Sequence, residues 1–412
     1  MPIQDEKNEC MERGALRQFQ LERLQATLNR ACRHVTFYHD LLDKAGLLPE
    51  DTASLEDLSR LPLTSRADLL GHQPYGLFAV PLHDVLRLHP AAGAGGPIVV
   101  GYTRNDLTLW SRMAARALSS AGVVSTDVVQ ITLDYGVDPA AFGAQQGAEM
   151  LGASVIASPN LSPERTAEVM RSYRATALVA TPAQAMQLGR VMRDESLAES
   201  SLRVVLIVGE VWSEDLRSEI EAALGVEAFG SYGVSEMAVP GLATECEHRC
   251  GLHLAEDNVL AETIDPETGR PVAPGERGEL VLTTLTREAV PLIRYRTGDL
   301  TILHDAKCEC GRTTMRFEPT HARSDDIVII GGIRVAPDQI DEIVQDLLPG
   351  AAWAMEVQRD DEGMEQLEIR LALGSTWVGN VIRDLEMHRD HVKLHARERL
   401  GVEPVVRIVE SV

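Results

Sequence analysis

The chain has 412 residues, 44% of them hydrophobic, enough to bury a substantial core and to form two or three domains. Its 62 acidic residues outnumber 39 basic ones, and the formal charge of -23 disfavours nucleic-acid phosphates and anionic lipid as partners, leaving small molecules. The start, Met1-Pro2-Ile3-Gln4-Asp5-Glu6-Lys7, has no basic region followed by an apolar core, and no run of about eighteen apolar residues occurs, so a cytoplasmic protein is expected.

In chain order, Leu21, Leu24, Leu28, Ala31 and Val35 recur at helical steps and predict one amphipathic helix from Leu16 to Leu42, whose apolar face serves a monomer core or a homodimer. Short β-branched runs follow at Val128 to Leu133, Ser154 to Ala157, Ala177 to Ala180 and Val204 to Val208, alternating with helical segments such as Pro163 to Tyr173. That alternation predicts a mostly parallel sheet covered by helices. After Gly230 the pattern becomes β-rich, with a turn at Asp265-Pro266-Glu267-Thr268-Gly269 and a strand from Glu279 to Leu285. A small α+β domain is expected from Asp325, with an apolar run Ile327 to Ile330, a Gly331-Gly332 turn and a helix from Pro337 to Leu347. The fold expected is therefore α/β, a large domain over residues 1-324 followed by a small α+β domain over residues 325-412.

Four of the six cysteines cluster with histidines: Cys246, His248, Cys250 and His253, then Cys308-Glu309-Cys310. Soft thiolates with an imidazole suit tetrahedral zinc, and four protein ligands leave no open position, so a structural ion is expected.

Short motifs then occur in one order: Gly209-Glu210; Ser231-Tyr232-Gly233-Val234-Ser235-Glu236; Tyr295-Arg296-Thr297-Gly298-Asp299; Arg323-Ser324-Asp325-Asp326; and Gly332-Ile333-Arg334. As an ordered set they resemble the phenylacetate-CoA ligase family of adenylate-forming, AMP-binding enzymes. The resemblance extends through Leu61-Pro62-Leu63-Thr64, Tyr75-Gly76-Leu77-Phe78-Ala79-Val80-Pro81, Val100-Gly101-Tyr102-Thr103-Arg104-Asn105-Asp106-Leu107, Gly143 to Ala153 and Leu285-Thr286-Arg287-Glu288-Ala289.

The resemblance implies an AMP-forming acid-CoA ligase that activates a carboxylic acid, aromatic in the type members, with ATP and transfers it to coenzyme A. By that resemblance Glu236 holds magnesium, Ser235 sits against phosphate, Tyr232 stacks on adenine beside Gly233, Gly209 and Glu210 line the base pocket, and Asp299 accepts the ribose hydroxyls. Arg323 and Asp325 fall at the hinge of a mobile C-terminal lid, with Asp325 the pivot, and Gly332 and Arg334 fall on the coenzyme A tunnel. The zinc set implied by relatives is Cys246, His253, Cys308 and Cys310, with Cys250 and His248 as possible substitutes. Tyr135, Phe142 and Tyr232 are the aromatics nearest in sequence to the acyl pocket.

Two segments depart from the family pattern. The phosphate loop reads His89-Pro90-Ala91-Ala92-Gly93-Ala94-Gly95-Gly96-Pro97-Ile98, so Gly93, Gly95 and Gly96 still offer amides while hydroxyl residues and a lysine are lost. His89 is expected to be a satisfied structural histidine. The lysine expected beyond Pro404-Val405-Val406-Arg407-Ile408-Val409 does not occur, since none follows Lys393, and the C-terminal domain reads as truncated relative to the family. These losses leave an alternative, a nucleotide- or acyl-adenylate-binding homologue with impaired catalysis acting as a sensor or partner subunit.

Overall fold

The computed structural model describes the chain apart from residues 92-95, 137-138, 195-199, 211, 238-240, 320-321, 331-332, 360-364, 373-381 and 410-411. It divides into two compact units, the first built from Met1–Ala91 and Ile98–Ser324, the second mainly from Asp325–Val412.

An eleven-stranded sheet organises the first unit, in the spatial order Val259–Ile264, Arg277–Thr284, Tyr295–His304, Arg316–Phe317, Leu252–Leu254, Ala243–Thr244, Glu227–Tyr232, Val204–Ile207, Ala177–Ala180, Val128–Ile131 and Ser154–Ala157. The last five are parallel, and Val204–Ile207 and Ala177–Ala180 are buried along their whole length, which is why they read as unbroken apolar runs. From Glu227–Tyr232 onward the pairing becomes antiparallel, so the predicted β-rich region continues the same sheet instead of standing apart. Helices Arg104–Ser120 and Pro139–Leu151 pack beside the parallel half through Ala114, Ala144, Gly147 and Ala148, and a Cβ on Gly147 would meet the Ala114 backbone carbon at 2.7 Å.

The amino-terminal segment corrects one expectation. Its apolar stripe is carried by two helices, Arg13–His34 and Thr36–Lys44, because Val35 is extended (φ -118°, ψ 107°). The break turns the second helix so that the Tyr38 hydroxyl accepts from the Ile293 amide at 3.1 Å, while Leu24, Leu28 and Val35 stay in the core. The face predicted from periodicity is buried as expected, and only its continuity fails.

The second unit has its own core of Val335, Ile340, Val344, Leu367, Ile369 and Val392. Its three strands, Ala352–Arg359, Glu365–Ala372 and Val405–Val409, pair antiparallel and then parallel, with helices Pro337–Leu347 and Ile382–Leu400 alongside. Lys393 of the latter helix pairs with Glu403 at 2.9 Å. Among the described residues, no helix is long and apolar enough to cross a membrane.

Candidate functional site

The strand Glu227–Tyr232 ends where sheet pairing changes direction, and the turn after it sets Glu236 into the interior with a fully buried side chain. Val234 and Met237 are buried on either side, and the Met237 amide bonds to the Val234 carbonyl at 3.0 Å. This one-turn loop leaves Gly233 exposed and Ser235 half-buried. Glu236 accepts a hydrogen bond from Arg66 Nη1 in an ion pair with both side chains largely shielded. Arg66 was not anticipated from sequence. The signal lay in Ser65-Arg66-Ala67-Asp68, a capping box in which Ser65 and Asp68 bind each other's backbone amides and fix Arg66 as the first residue of helix Arg66–Gly71.

Asp299 lies on the strand Tyr295–His304 and is also buried. The Tyr232 hydroxyl donates to its Oδ2 at 2.6 Å, and Arg323 Nη1 donates to its Oδ1. Arg323 is anchored by a second bond to the Thr297 carbonyl at 3.0 Å, and the Ser324 amide bonds to the Gly298 carbonyl at 2.8 Å. Gly298 holds φ +80°, a conformation that suits glycine and lets this strand turn under Tyr232. Gly209, at φ +90°, follows the strand Val204–Ile207 and is succeeded by Glu210, whose Oε1 is buried. The first unit thus brings Tyr232, Glu236, Asp299 and Arg323 into one region together with Arg66, and two carboxylates there each hold an arginine.

The remaining expected positions fall as follows. Asp325 is exposed and opens the second unit directly after Ser324 closes the first. Arg334 is half-buried in the strand Ile333–Val335, paired with Ile329. Gly332, Gly93 and Gly95 lie outside the described residues, whereas Gly96 adopts φ +110° beside the hairpin Arg87–Ala91 and Ile98–Tyr102. His89 corrects a second expectation. It is buried but not satisfied, since among the described residues its Nε2 has no hydrogen-bond partner, and burial beside Arg87 holds its pKa below the usual value.

The ligand atoms of Cys246, His253, Cys308 and Cys310 all lie within 4.8 Å of one another. Cys246 Sγ is 3.7 Å from Cys308 Sγ and Cys310 Sγ is 3.5 Å from His253 Nε2, close to the roughly 3.8 Å separating two sulfurs on a tetrahedral zinc. His253 Nδ1 meets Thr314 Oγ1 at 3.2 Å, an arrangement that leaves Nε2 free to face a metal. The Cys246–Cys310 hydrogen bond holds the Cys310 thiol well below its usual value and pushes the Cys246 thiol up, while burial raises Cys308. Of the two alternatives, Cys250 lies 3.5 Å from Cys308 but is held by Arg316 Nη1 at 2.7 Å, and His248 turns toward Glu309 at 3.8 Å. The donor set fits a structural ion. Strand Leu252–Leu254 carries His253 and pairs with Arg316–Phe317, and the Phe317 ring stands edge-on to Tyr232 with centroids 5.0 Å apart.

The sequence model of the family described as AMP-binding enzyme matches residues 100–285. A phenylacetate-coenzyme A ligase of Thermus thermophilus is 38% identical over 402 residues, covering 95% of this chain and 90% of that protein. One from Escherichia coli is 39% identical over 332 residues, covering 79% and 75%. Among solved structures, 2-hydroxyisobutyryl-CoA ligase in complex with 2-HIB-AMP and CoA superposes with a TM-score of 0.89 at 26% identity, over 98% of this chain and 88% of that one. The amide bond synthetase McbA from Marinactinospora thermotolerans shares the fold, with a TM-score of 0.60 at 18% identity over 80% of this chain and 66% of its own. On the strength of 38% identity across 95% of this chain and 90% of the Thermus thermophilus ligase, the chain belongs to the phenylacetate-CoA ligase family of AMP-binding enzymes, acid-thiol ligases that work through an acyl-adenylate.

Proposed function

We infer that this acid-CoA ligase activates an aromatic carboxylic acid in the cytoplasm, and that the Tyr232, Glu236, Asp299 and Arg323 constellation is its nucleotide site. The single observation behind this reading is the pair of buried carboxylates, Glu236 and Asp299, held beside one exposed-edge tyrosine turn. An acyl-adenylate forms when a carboxylate attacks the α-phosphorus of ATP and pyrophosphate leaves, so two anions must approach each other. Glu236 offers the hard oxygen that magnesium requires, and the ion when bound lowers the repulsion between phosphate oxygens. Arg66 and Arg323 add fixed positive charge from the protein. Asp299, already an acceptor for two donors, exchanges them for the ribose hydroxyls, freeing Tyr232 to lie on the adenine with Gly209, Glu210 and Gly233 around it. Ser235 supplies a hydroxyl for phosphate, and by sequence the glycines Gly93, Gly95 and Gly96 remain candidates for the same task.

In the same reading Arg323 and Asp325 bracket the hinge between residues 1-324 and 325-412, Gly332 and Arg334 contact coenzyme A, and zinc held by Cys246, His253, Cys308 and Cys310 is structural. Identity across 95% of the chain with a phenylacetate-coenzyme A ligase favours catalysis over the non-catalytic alternative despite the altered phosphate loop. The test is thioester formation, followed by mass spectrometry, over a panel of aryl and aliphatic acids with magnesium-ATP and coenzyme A. Aryl thioesters should dominate, and exclusive use of short aliphatic acids would overturn the substrate class.

A further inference from the structure

The strand Arg87–Ala91 exposes Leu88 and Pro90, which puts Arg87, His89 and Ala91 on its inward face. There the Arg87 guanidinium carbon lies 4.9 Å over the Phe142 ring and 5.9 Å from the Trp110 ring. The His89 ring is 5.2 Å from Phe142, 6.0 Å from Tyr102 and 6.4 Å from Trp110, and Tyr135 stands edge-on to Phe142 at 5.1 Å. Three side chains therefore gather around one phenylalanine, and each ends in a shielded polar atom without a hydrogen-bond partner: Arg87 Nη1, His89 Nε2 and Tyr135 Oη.

Shielded polar atoms in folded proteins are paired almost without exception, because leaving one dry is costly. Trp110 Nε1, in the same ring cluster, is a fourth, and it is their clustering around shared rings that points to a ligand. Burial lowers the pKa of Arg87 and His89 and raises that of Tyr135 to about 12, with Glu149 adding to the last effect, so all three sit in a poorly hydrated environment. Among the described residues no carboxylate pairs with Arg87. A bare phenyl ring would stack well on Phe142 and Trp110 but would leave the three polar atoms unmet. A second carboxylate on the acid meets them, since a guanidinium donor matches a carboxylate oxygen and both His89 and Tyr135 can donate to the other.

We propose that Arg87, His89 and Tyr135 form a polar recognition site at the end of the acyl pocket, and that the substrate is an aromatic acid with a second carboxylate. The proposal rests on the aryl acid-CoA ligase reading and narrows its substrate class.

The test compares kcat/KM for thioester formation from phenylacetate, 4-hydroxyphenylacetate and 4-carboxyphenylacetate, using the full chain and its Arg87→Met and Arg87→Lys variants. Wild type should prefer 4-carboxyphenylacetate over phenylacetate by on the order of a hundredfold, as expected where buried polar groups must be matched. Arg87→Met should remove that preference and Arg87→Lys should keep part of it. A wild-type ratio at or below one, or the same ratio in Arg87→Met, overturns the proposal. A fall in magnesium-ATP affinity in Arg87→Met that is equal for every acid also overturns it and assigns Arg87 to phosphate. Titration of tryptophan fluorescence without ATP, with Trp110→Phe as the control for the source of the signal, separates this proposal from the reaction. If no acid yields a thioester, the ligase reading falls, while saturable binding of 4-carboxyphenylacetate weakened in Arg87→Met still supports the site and unaffected or absent binding refutes it.

Discussion

The Arg66–Glu236 pair offers a test of the site that needs neither the acid nor coenzyme A. Glu236 is fully buried in its side chain and Arg66 is 13% exposed, so neither charge is well screened by water. Replacing Arg66 with Met strands the Glu236 carboxylate, and breaking a buried pair from one side typically costs about 3 kcal/mol. Glu236→Gln alone leaves a guanidinium that still reaches some solvent, so its cost should be smaller, about 1 kcal/mol. The double variant has no charge to strand and should recover about 2 kcal/mol relative to the sum of the single changes. For a chain of this length the Arg66→Met loss corresponds to a fall of about 6 °C in the Tm of the first unit, readable by circular dichroism. Saturating magnesium-ATP should narrow the deficit of Arg66→Met, because a cation at Glu236 replaces the lost partner and ligand binding stabilises by mass action. Strictly additive losses in the double variant, with no narrowing by nucleotide, would refute the placement of Glu236 beside the phosphates.

Further outcomes follow from the same geometry. Glu236→Gln should weaken magnesium-ATP binding by at least tenfold in calorimetry while leaving binding of adenosine alone within about twofold, a difference on the order of 1.4 kcal/mol per decade. Asp299→Asn removes the charge and turns one of the two oxygens that accept from Tyr232 and Arg323 into an NH2 donor, so it should weaken adenosine binding itself, which an unchanged adenosine affinity would contradict. Metal analysis should find zinc in the purified protein, and Cys308→Ser should release it and broaden the ring signals of Phe317 and Tyr232; a stable, zinc-free wild-type preparation would remove the metal from the account. His89 has a folded pKa below its unfolded value, so the unfolded chain binds the extra proton first, and stability should fall as pH drops through and below about 6.5. Acid titration of unfolding should show this slope in wild type and lose it in His89→Phe.

How much of this was readable in advance depends on whether the information is local. Helix Pro337–Leu347 matched residue for residue because Pro337 fixes the first helical position and the apolar spacing of Ile340, Ile343 and Val344 does the rest. The central parallel strands Ala177–Ala180 and Val204–Ile207 were found because burial along their whole length leaves only apolar sequence, the second run ending one residue short of the expected Val208. The break at Val35 was hidden, since its cause is docking of Tyr38 on Ile293, more than 250 residues away. Spacing alone admits Cys250 as readily as Cys246 in the cysteine cluster; the resemblance gave the set Cys246, His253, Cys308 and Cys310 that the fold brings together, and the fold adds that Arg316 draws Cys250 aside. His89 looked like a core histidine on the strength of its neighbours in sequence. Its unpaired nitrogen exists only once Tyr102, Trp110 and Phe142 close around it. Arg66 shows the reverse case, where a capping box visible in the sequence fixed the residue but its partner lay 170 residues on.

The most direct measurement is acid-dependent exchange of labelled pyrophosphate into ATP, run with magnesium and an aryl acid before coenzyme A is added. The account predicts exchange that requires the acid, collapses in Glu236→Gln, and gives way to AMP and thioester once coenzyme A is present. Tight ATP binding with no acid-dependent exchange for any acid would contradict it and leave a nucleotide-binding homologue without adenylation chemistry.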